Sequence, residues 1–467
     1  MIGIDIGNAV SLVLVAMLSI GTAAHALLHV RDPRAAWGWI AACWLAPVVG
    51  PLLYLLFGTD RLEALARRAL GARPASPLPA LDHVIPEELR ELVRIGDATT
   101  GRPLVAGNRL RMLHDGNEAY PEMLAAIAGA RRSVQLSSYI FRGDEVGQAF
   151  ARELAAARDR GVAVRVLIDG VGDLYYWPRG SRLLRRHAIP TQCFHVARRF
   201  LPVPHLNLRD HRKLLVVDGE VAFAGGINIG AHQLREARRP VRDVHFRIEG
   251  PVVAQLADVF ERDWAAGGGP LMPPALAGTC SADQDGSDCR VITIGPDEEV
   301  DRLELVLLAA LANAHQRVSI MTPYFIPTEA LSRAFESAAL RGVDVQLVLP
   351  RRSNLPWVDW ASRRWLRALL AQGVRVFLSP APFVHAKLLV VDGYYAQIGS
   401  ANLDSRSLRL NFELVVETYG RSLGASIQST IDLARDRSDE LTLEELRGAG
   451  VCQNLRDAFF WMFSAYL

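Results

Sequence analysis

Cysteine is scarce in this chain, and the five present (Cys43, Cys193, Cys280, Cys289 and Cys452) are scattered. That spacing excludes a paired-cysteine zinc site and a disulfide-dense small domain. Cys280 and Cys289 could close a small loop, but the odd, dispersed set favours free thiols. An excess of one charge is also missing, since 52 Lys and Arg face 50 Asp and Glu for a formal charge of +2. With half the residues hydrophobic, a disordered tail protein and a broadly basic nucleic-acid binder are both excluded. What is present is length: 467 residues suit about three domain-sized units.

Charge is absent altogether from two stretches near the N-terminus. Residues 9–30 (AVSLVLVAMLSIGTAAHALLHV) carry no Asp, Glu, Lys or Arg and are long enough to cross a bilayer. No Lys or Arg precedes them, which argues for a retained anchor over a cleaved signal. After a short link with Arg31 and Arg34, a second uncharged run from Ala35 to Gly58 carries Trp37, Trp39, Trp44 and Tyr54, the aromatics that favour bilayer interfaces. The expectation is a transmembrane hairpin with spans over about 9–30 and 36–57, although Pro47, Gly50 and Pro51 could bend the second run into a re-entrant segment. Arg61, Arg67, Arg68 and Arg73 outnumber the link arginines, which places the C-terminal portion in the cytoplasm. Residues 60–72 suit a helix lying on anionic headgroups, or an ordinary linker helix.

The remainder repeats itself. Residues 130–141 (ARRSVQLSSYIF) are echoed by 314–326 (AHQRVSIMTPYFI), and each copy continues through a helical stretch to Arg-Gly-Val and a β-branched run. Strand, helix and strand used twice, about 180 residues apart, predict a duplicated α/β domain with a buried mixed or parallel sheet. The Gly- and Pro-rich stretch 267–287 reads as the linker between the copies.

The repeat contains His211-Arg-Lys213-Leu-Leu-Val-Val-Asp218-Gly219 in one copy and His385-Ala-Lys387-Leu-Leu-Val-Val-Asp392-Gly393 in the other, identical at eight of nine positions. Two copies at equivalent places are beyond chance. Side chains two apart on a strand share a face, so each His pairs with its Lys, while Asp218 and Asp392 have opposite parity and suit an orienting or structural role. Two imidazoles and two ammoniums suit phosphodiester exchange. One neutral His can attack phosphorus, the other can donate to the departing alkoxide, and the lysines can neutralise the equatorial oxygens. The motifs offer no carboxylate cluster, so neither metal nor other cofactor is expected.

These motifs resemble the signature of the phospholipase D superfamily, which continues to a glycine, a small residue and an asparagine. The second copy reads Gly399-Ser400-Ala401-Asn402, and the first reads Gly225-Gly226-Ile227-Asn228, with glycine where serine is usual. The resemblance implies that Asn228, Ser400 and Asn402 contact substrate phosphate, and that Glu413 and Asp243 orient the imidazoles from behind. It sharpens to the bacterial cardiolipin synthases through the apolar pair and through 207–211, 242–251 and 322–327. It then implies transfer of a phosphatidyl group between two phosphatidylglycerol molecules with release of glycerol, in a multi-pass protein of the bacterial inner membrane, without nucleic acid as partner.

The expected architecture is two phospholipase D-like α/β sandwich domains with the active site between them. They span 111–270 and 291–467, after a hairpin over 1–60 and a linker over 61–110, with 271–290 joining them. His211 is taken as nucleophile and His385 as general acid and base, though residue order does not decide between them. A hydrolase of the same superfamily competes, because the motif does not choose between water and alcohol; a non-catalytic lipid-binding protein is disfavoured by both intact His-Lys pairs. Arginine-interleaved Trp357, Trp360 and Trp365 and the apolar C-terminus 455–467 suit either a membrane interface or internal packing. His205 and His245 are candidates for the pocket wall.

Overall fold

The computed structural model describes residues 6–30, 32–58, 85–194, 208–270, 286–296 and 300–467. The arginines at 61–73 with the expected helix over 60–72, most of the 271–290 linker, Cys280 and His205 lie outside the described residues. The chain divides into an N-terminal helical unit and a larger α/β unit.

In the helical unit the first apolar run is one helix, Ile6–His29, of which Val10–His29 is long and apolar enough to cross a membrane, with mean hydropathy 2.0. The second run is not a single helix. It forms two helices, Pro33–Leu45 and Val49–Phe57, broken at Ala46–Val48. Pro47 has no N–H to continue the ladder, and the Pro47 carbonyl left over accepts from Ser19 Oγ at 2.8 Å. Gly50 lets the second piece fold against the first, since a Cβ there would stand 2.1 Å from the Ala42 carbonyl oxygen. His25 Nδ1 meets Tyr54 Oη at 2.8 Å, satisfying two polar groups in an apolar setting.

Among the described residues, the α/β unit is built on one 16-stranded mixed sheet and two separate two-stranded pairs. Its first half contributes β1 (Val105–His114), β2 (Ser133–Ser138), β3 (Ala163–Asp169), β4 (Thr191–Phe194), β5 (Arg209–Asp210), β6 (Lys213–Val217), β7 (Val221–Gly225), β8 (Val241–Arg242) and β9 (Val244–Glu249). The second half contributes β10 (Ser287–Ile294), β11 (Arg317–Met321), β12 (Phe325–Ile326), β13 (Asp344–Pro350), β14 (Arg375–Ser379), β15 (Phe383–Val384), β16 (Leu388–Val391), β17 (Tyr395–Gly399), β18 (Leu403–Asp404), β19 (Asn411–Tyr419) and β20 (Asp439–Leu441). The duplication is literal: β2 pairs parallel with β3 and antiparallel with β6, and β11 pairs parallel with β13 and antiparallel with β16. The halves join where β1 meets β10. The segment expected as a linker over 61–110 holds a helix, Arg90–Thr100, and the start of β1. Each Leu-Leu-Val-Val run is fully buried, worth about 1.5–3 kcal/mol per side chain, and this fixes the strands that carry the motifs.

Candidate active site

Both motif histidines stand just before a motif strand, and each is held by the opposite half. β5 pairs parallel with β19, and the His211 N–H donates to the Phe412 carbonyl at 2.9 Å. β15 pairs parallel with β8, and the His385 N–H donates to the Arg242 carbonyl at 2.7 Å. The side chains repeat the exchange. His211 Nδ1 lies 2.9 Å from the Glu413 carboxylate, and His385 Nδ1 lies 2.7 Å from Asp243 Oδ2. Binding at Nδ1 fixes each ring and leaves Nε2 for chemistry.

The lysines complete the cluster. Lys213 Nζ donates to the His211 carbonyl at 2.6 Å and lies 5.2 Å from the Tyr139 ring centroid. Lys387 Nζ stands 3.0 and 3.1 Å from the two ring nitrogens of His385. Burial, then Lys213 and Lys387, hold His211 well below its ordinary value. Burial and Lys387, against Asp243, bring His385 down to about 4. Burial lowers Lys213 to about 7, partly countered by Glu413, and Lys387 to about 8, partly countered by Asp243. The carboxylates diverge. Burial pushes Glu413 up to about 7 against the pull of Lys213. Burial works on Asp243 in the same sense, but His385 and Lys387 outweigh it and hold that carboxyl below its usual range. Four cationic or potentially cationic groups thus share a dry space that a phosphodiester anion would neutralise.

Not every expected residue joins this cluster. Asp218 accepts from the N–H groups of Arg131, Arg132 and Ser133 at 2.7–2.9 Å, and Asp392 from those of His315, Gln316 and Arg317 at 2.8 Å. Both sit at positive φ (56° and 51°), followed by Gly219 and Gly393 at 69° and 64°, in tight hairpin turns whose twist suits the strands. Through these N–H groups they tie the start of β2 or β11 to the motif strand. Ser400 donates to Glu413 Oε2 at 2.6 Å and accepts from the Leu414 N–H at 3.0 Å, so its hydroxyl braces the carboxylate. Asn228 Oδ1 accepts from the Ile140 N–H at 3.2 Å, and Asn402 Nδ2 donates to Ser407 Oγ at 3.2 Å. His245 is buried in β9 without a hydrogen-bond partner, behind the cluster.

Comparison with known sequences decides the family. The family described as "Cardiolipin synthase, PLD-like domain" matches residues 123–264 and 307–433, and "Phospholipase_D-nuclease N-terminal" matches 17–58. The chain belongs to the cardiolipin synthase family of the phospholipase D superfamily. Cardiolipin synthase A of Pseudomonas aeruginosa is 34% identical over 461 residues, covering 95% of this chain and 93% of that protein. The Pseudomonas entomophila enzyme of the same name is 33% identical over 95% of both chains. The crystal structure of phosphatidylserine synthase from Haemophilus influenzae covers 81% of this chain and all of its own, with TM-score 0.63 and 15% identity, a likeness of fold.

Within this cardiolipin synthase site several residues escaped the sequence reading. Tyr139 packs edge-on to His211 at 4.7 Å between centroids, and Tyr324 to His385 at 6.3 Å; both lie in the echoed segments, where the repeat itself was the signal. Arg209 donates to the hydroxyls of Tyr139 and Tyr175 at 3.1 and 2.8 Å. Asp115, bonded to Arg242 and to the Asp243 N–H at 3.1 Å, positions the segment that presents Asp243, and no motif marked it.

Proposed function

We propose that the chain is a phosphatidyltransferase that makes cardiolipin from two phosphatidylglycerol molecules, and that His211, Lys213, His385 and Lys387 carry the chemistry. The observation that supports this most is the reciprocal clamp, in which each imidazole meets a carboxylate of the other half. Nε2 of one histidine attacks the donor phosphorus, and the P–O bond to glycerol breaks as the other histidine protonates the departing oxygen. That second histidine then takes the proton of the acceptor's glycerol hydroxyl, whose oxygen attacks phosphorus and breaks the P–N bond.

Charge supports His211 as nucleophile and His385 as acid and base. Burial and Lys387 hold His385 down to about 4 in the free enzyme; ionised Asp243 together with a bound phosphodiester anion favours the imidazolium that His385 needs as acid, whereas Glu413, raised to about 7, leaves His211 neutral. The lysines bear on the equatorial oxygens, and the Asn228 amide N–H and the Asn402 amide on the remaining phosphate oxygens. By this reading residues 1–60 anchor the enzyme in the bacterial inner membrane as a multi-pass segment with the α/β unit cytoplasmic, and domain boundaries fall near 110 and 270–290.

The test is purified full-length protein in detergent with phosphatidylglycerol as sole lipid and EDTA present, following lipid products and glycerol. Cardiolipin with an equal amount of glycerol is expected; phosphatidic acid would make the chain a hydrolase.

A further inference from the structure

Exposed aromatic and aliphatic side chains gather at corresponding places in the two halves. Tyr139 follows the end of β2, and the loop Leu174–Trp177 follows the end of its parallel neighbour β3. Tyr324 follows the end of β11, and the helix Pro356–Ala371 follows the end of its parallel neighbour β13. Parallel strands therefore carry both the histidine-packing tyrosines and these two segments at the same C-terminal ends. A cavity of ≈ 370 Å³ is lined by Tyr324, which packs on His385, and by Arg352, Trp360 and Arg363 of and beside the second segment.

Leu174, Tyr176 and Trp177 are exposed, Trp177 at 74%. In the second half the helix Val451–Trp461 packs one face on Pro356–Ala371, with Phe460 against Trp360 at 4.9 Å between centroids. The C-terminus therefore docks on its own domain, but only by one face. The other face shows Val451 at 75%, Leu455 at 66% and Phe459 at 53%, one helical stripe continued by Met462 and exposed Trp357. Soluble surfaces seldom leave such a stripe uncovered.

Arginines lie over the rings of both segments, two of them also paired with a carboxylate, Arg142 with Asp144 and Arg456 with Asp457. Arg142 lies over Tyr176 at 4.3 Å and Arg182 over Trp177 at 5.7 Å; Arg364 lies over Trp461 at 4.1 Å and Arg456 over Trp360 at 4.5 Å. The one acidic residue of Val451–Leu467, Asp457, is buried and paired with Arg456. Aromatic rings with arginines over their faces match the headgroup layer, where the ring enters the acyl boundary and the guanidinium meets lipid phosphate.

We propose that Leu174–Trp177 and the outer face of Val451–Trp461 with Trp357 form a single docking surface for an anionic lipid bilayer, so that the enzyme takes its substrate directly from the leaflet beneath it. The proposal rests on the reading of the chain as a membrane-held lipid enzyme, and its occupant is the bilayer, not a second protein.

The test uses the full chain with Cys452→Ser, in vesicles of phosphatidylethanolamine and phosphatidylglycerol, with a nitroxide on Trp177→Cys, on Leu455→Cys or on the exposed control Glu440→Cys. Relaxation by oxygen and by a water-soluble nickel chelate separates lipid from water. Labels at 177 and 455 are expected to collide with oxygen and escape nickel, with the reverse at 440. Nickel access at both would overturn the proposal, and so would labels shielded from both reagents, the signature of a protein contact. In the paired variant Trp177→Asp with Leu455→Asp, turnover of vesicle phosphatidylglycerol is expected to fall tenfold or more while turnover of dissolved dihexanoyl phosphatidylglycerol is kept; equal loss on both would also overturn it. If wild-type protein turns over neither lipid, the functional reading fails while the collision data still decide the docking.

Discussion

The two halves present the same imidazole, ammonium and tyrosine, yet they build the carboxylate differently. On the Glu413 side a longer acid is braced by the Ser400 hydroxyl at 2.6 Å and by Asn411 Nδ2 at 3.1 Å. On the Asp243 side a shorter acid occupies the place a serine would need, because a Cβ on Gly226 would stand 2.1 Å from Asp243 Oδ1. The glycine that departs from the family pattern is therefore paired with the shorter acid, and no hydroxyl has been lost without replacement. The brace on Asp243 comes from backbone instead, through the Val244 N–H at 2.8 Å. Duplicated halves can thus keep one reaction centre while dividing its electrostatics: an ionised acid behind one histidine and a carboxyl raised toward neutrality behind the other.

The comparison breaks most severely if either histidine is removed. His211→Ala and His385→Ala are each expected to lose about 10⁴-fold or more in kcat/KM. Only His385→Ala should accumulate a phosphatidyl-enzyme, seen as a lipid mass adduct in quenched samples; an adduct in His211→Ala alone would exchange the roles. Next is Gly226→Ser, expected to cost about 10²-fold by pushing Asp243 off His385. The double change Gly226→Ser with Asp243→Glu, which copies the second half's pairing, should recover part of it; additive losses in a double-mutant cycle would separate the two positions.

A milder expectation concerns pH. With Lys213 near 7 and Lys387 near 8 in the free enzyme, the ammonium forms are lost as pH rises through that window. Activity measured as kcat/KM should decline by about tenfold per unit between the two values and by about hundredfold per unit past the higher one. Because a bound anion favours the charged lysines, inorganic phosphate binding at pH 8 should take up protons, visible by calorimetry in buffers of different ionisation heat. Smallest in catalytic effect are Asp218→Ala and Asp392→Ala. Each releases three backbone N–H groups and should lower stability by about 1–2 kcal/mol in thermal unfolding, with kcat changed little in either half.

Much of this was legible in the chain because the signals were local. The apolar runs of the motif strands, the Asp-Gly turns that follow them and the opposite parity of His and Asp all lie within nine residues of one another. The clamp was not legible as geometry, because His211 and Glu413 are 202 residues apart and His385 and Asp243 are 142 apart; family resemblance named the acids, but not which imidazole each holds. The resemblance points Ser400 toward phosphate, whereas its bond to Glu413, 13 residues on, is beyond what local spacing shows. A bend in the second apolar run was legible from Pro47, Gly50 and Pro51, but the bond from Ser19 to the Pro47 carbonyl was not, because the two residues are 28 positions apart.

The exchange of acids between halves also bears on synthesis. His211 is translated 202 residues before Glu413, so a nascent chain that has folded its first half still holds an unbraced imidazole. The His385 clamp can form once residue 385 has emerged, but the His211 clamp closes only with β19, within the last part of the chain. A chain ending before that strand lacks the acid that holds the His211 ring and is expected to form no cardiolipin in the same lipid assay.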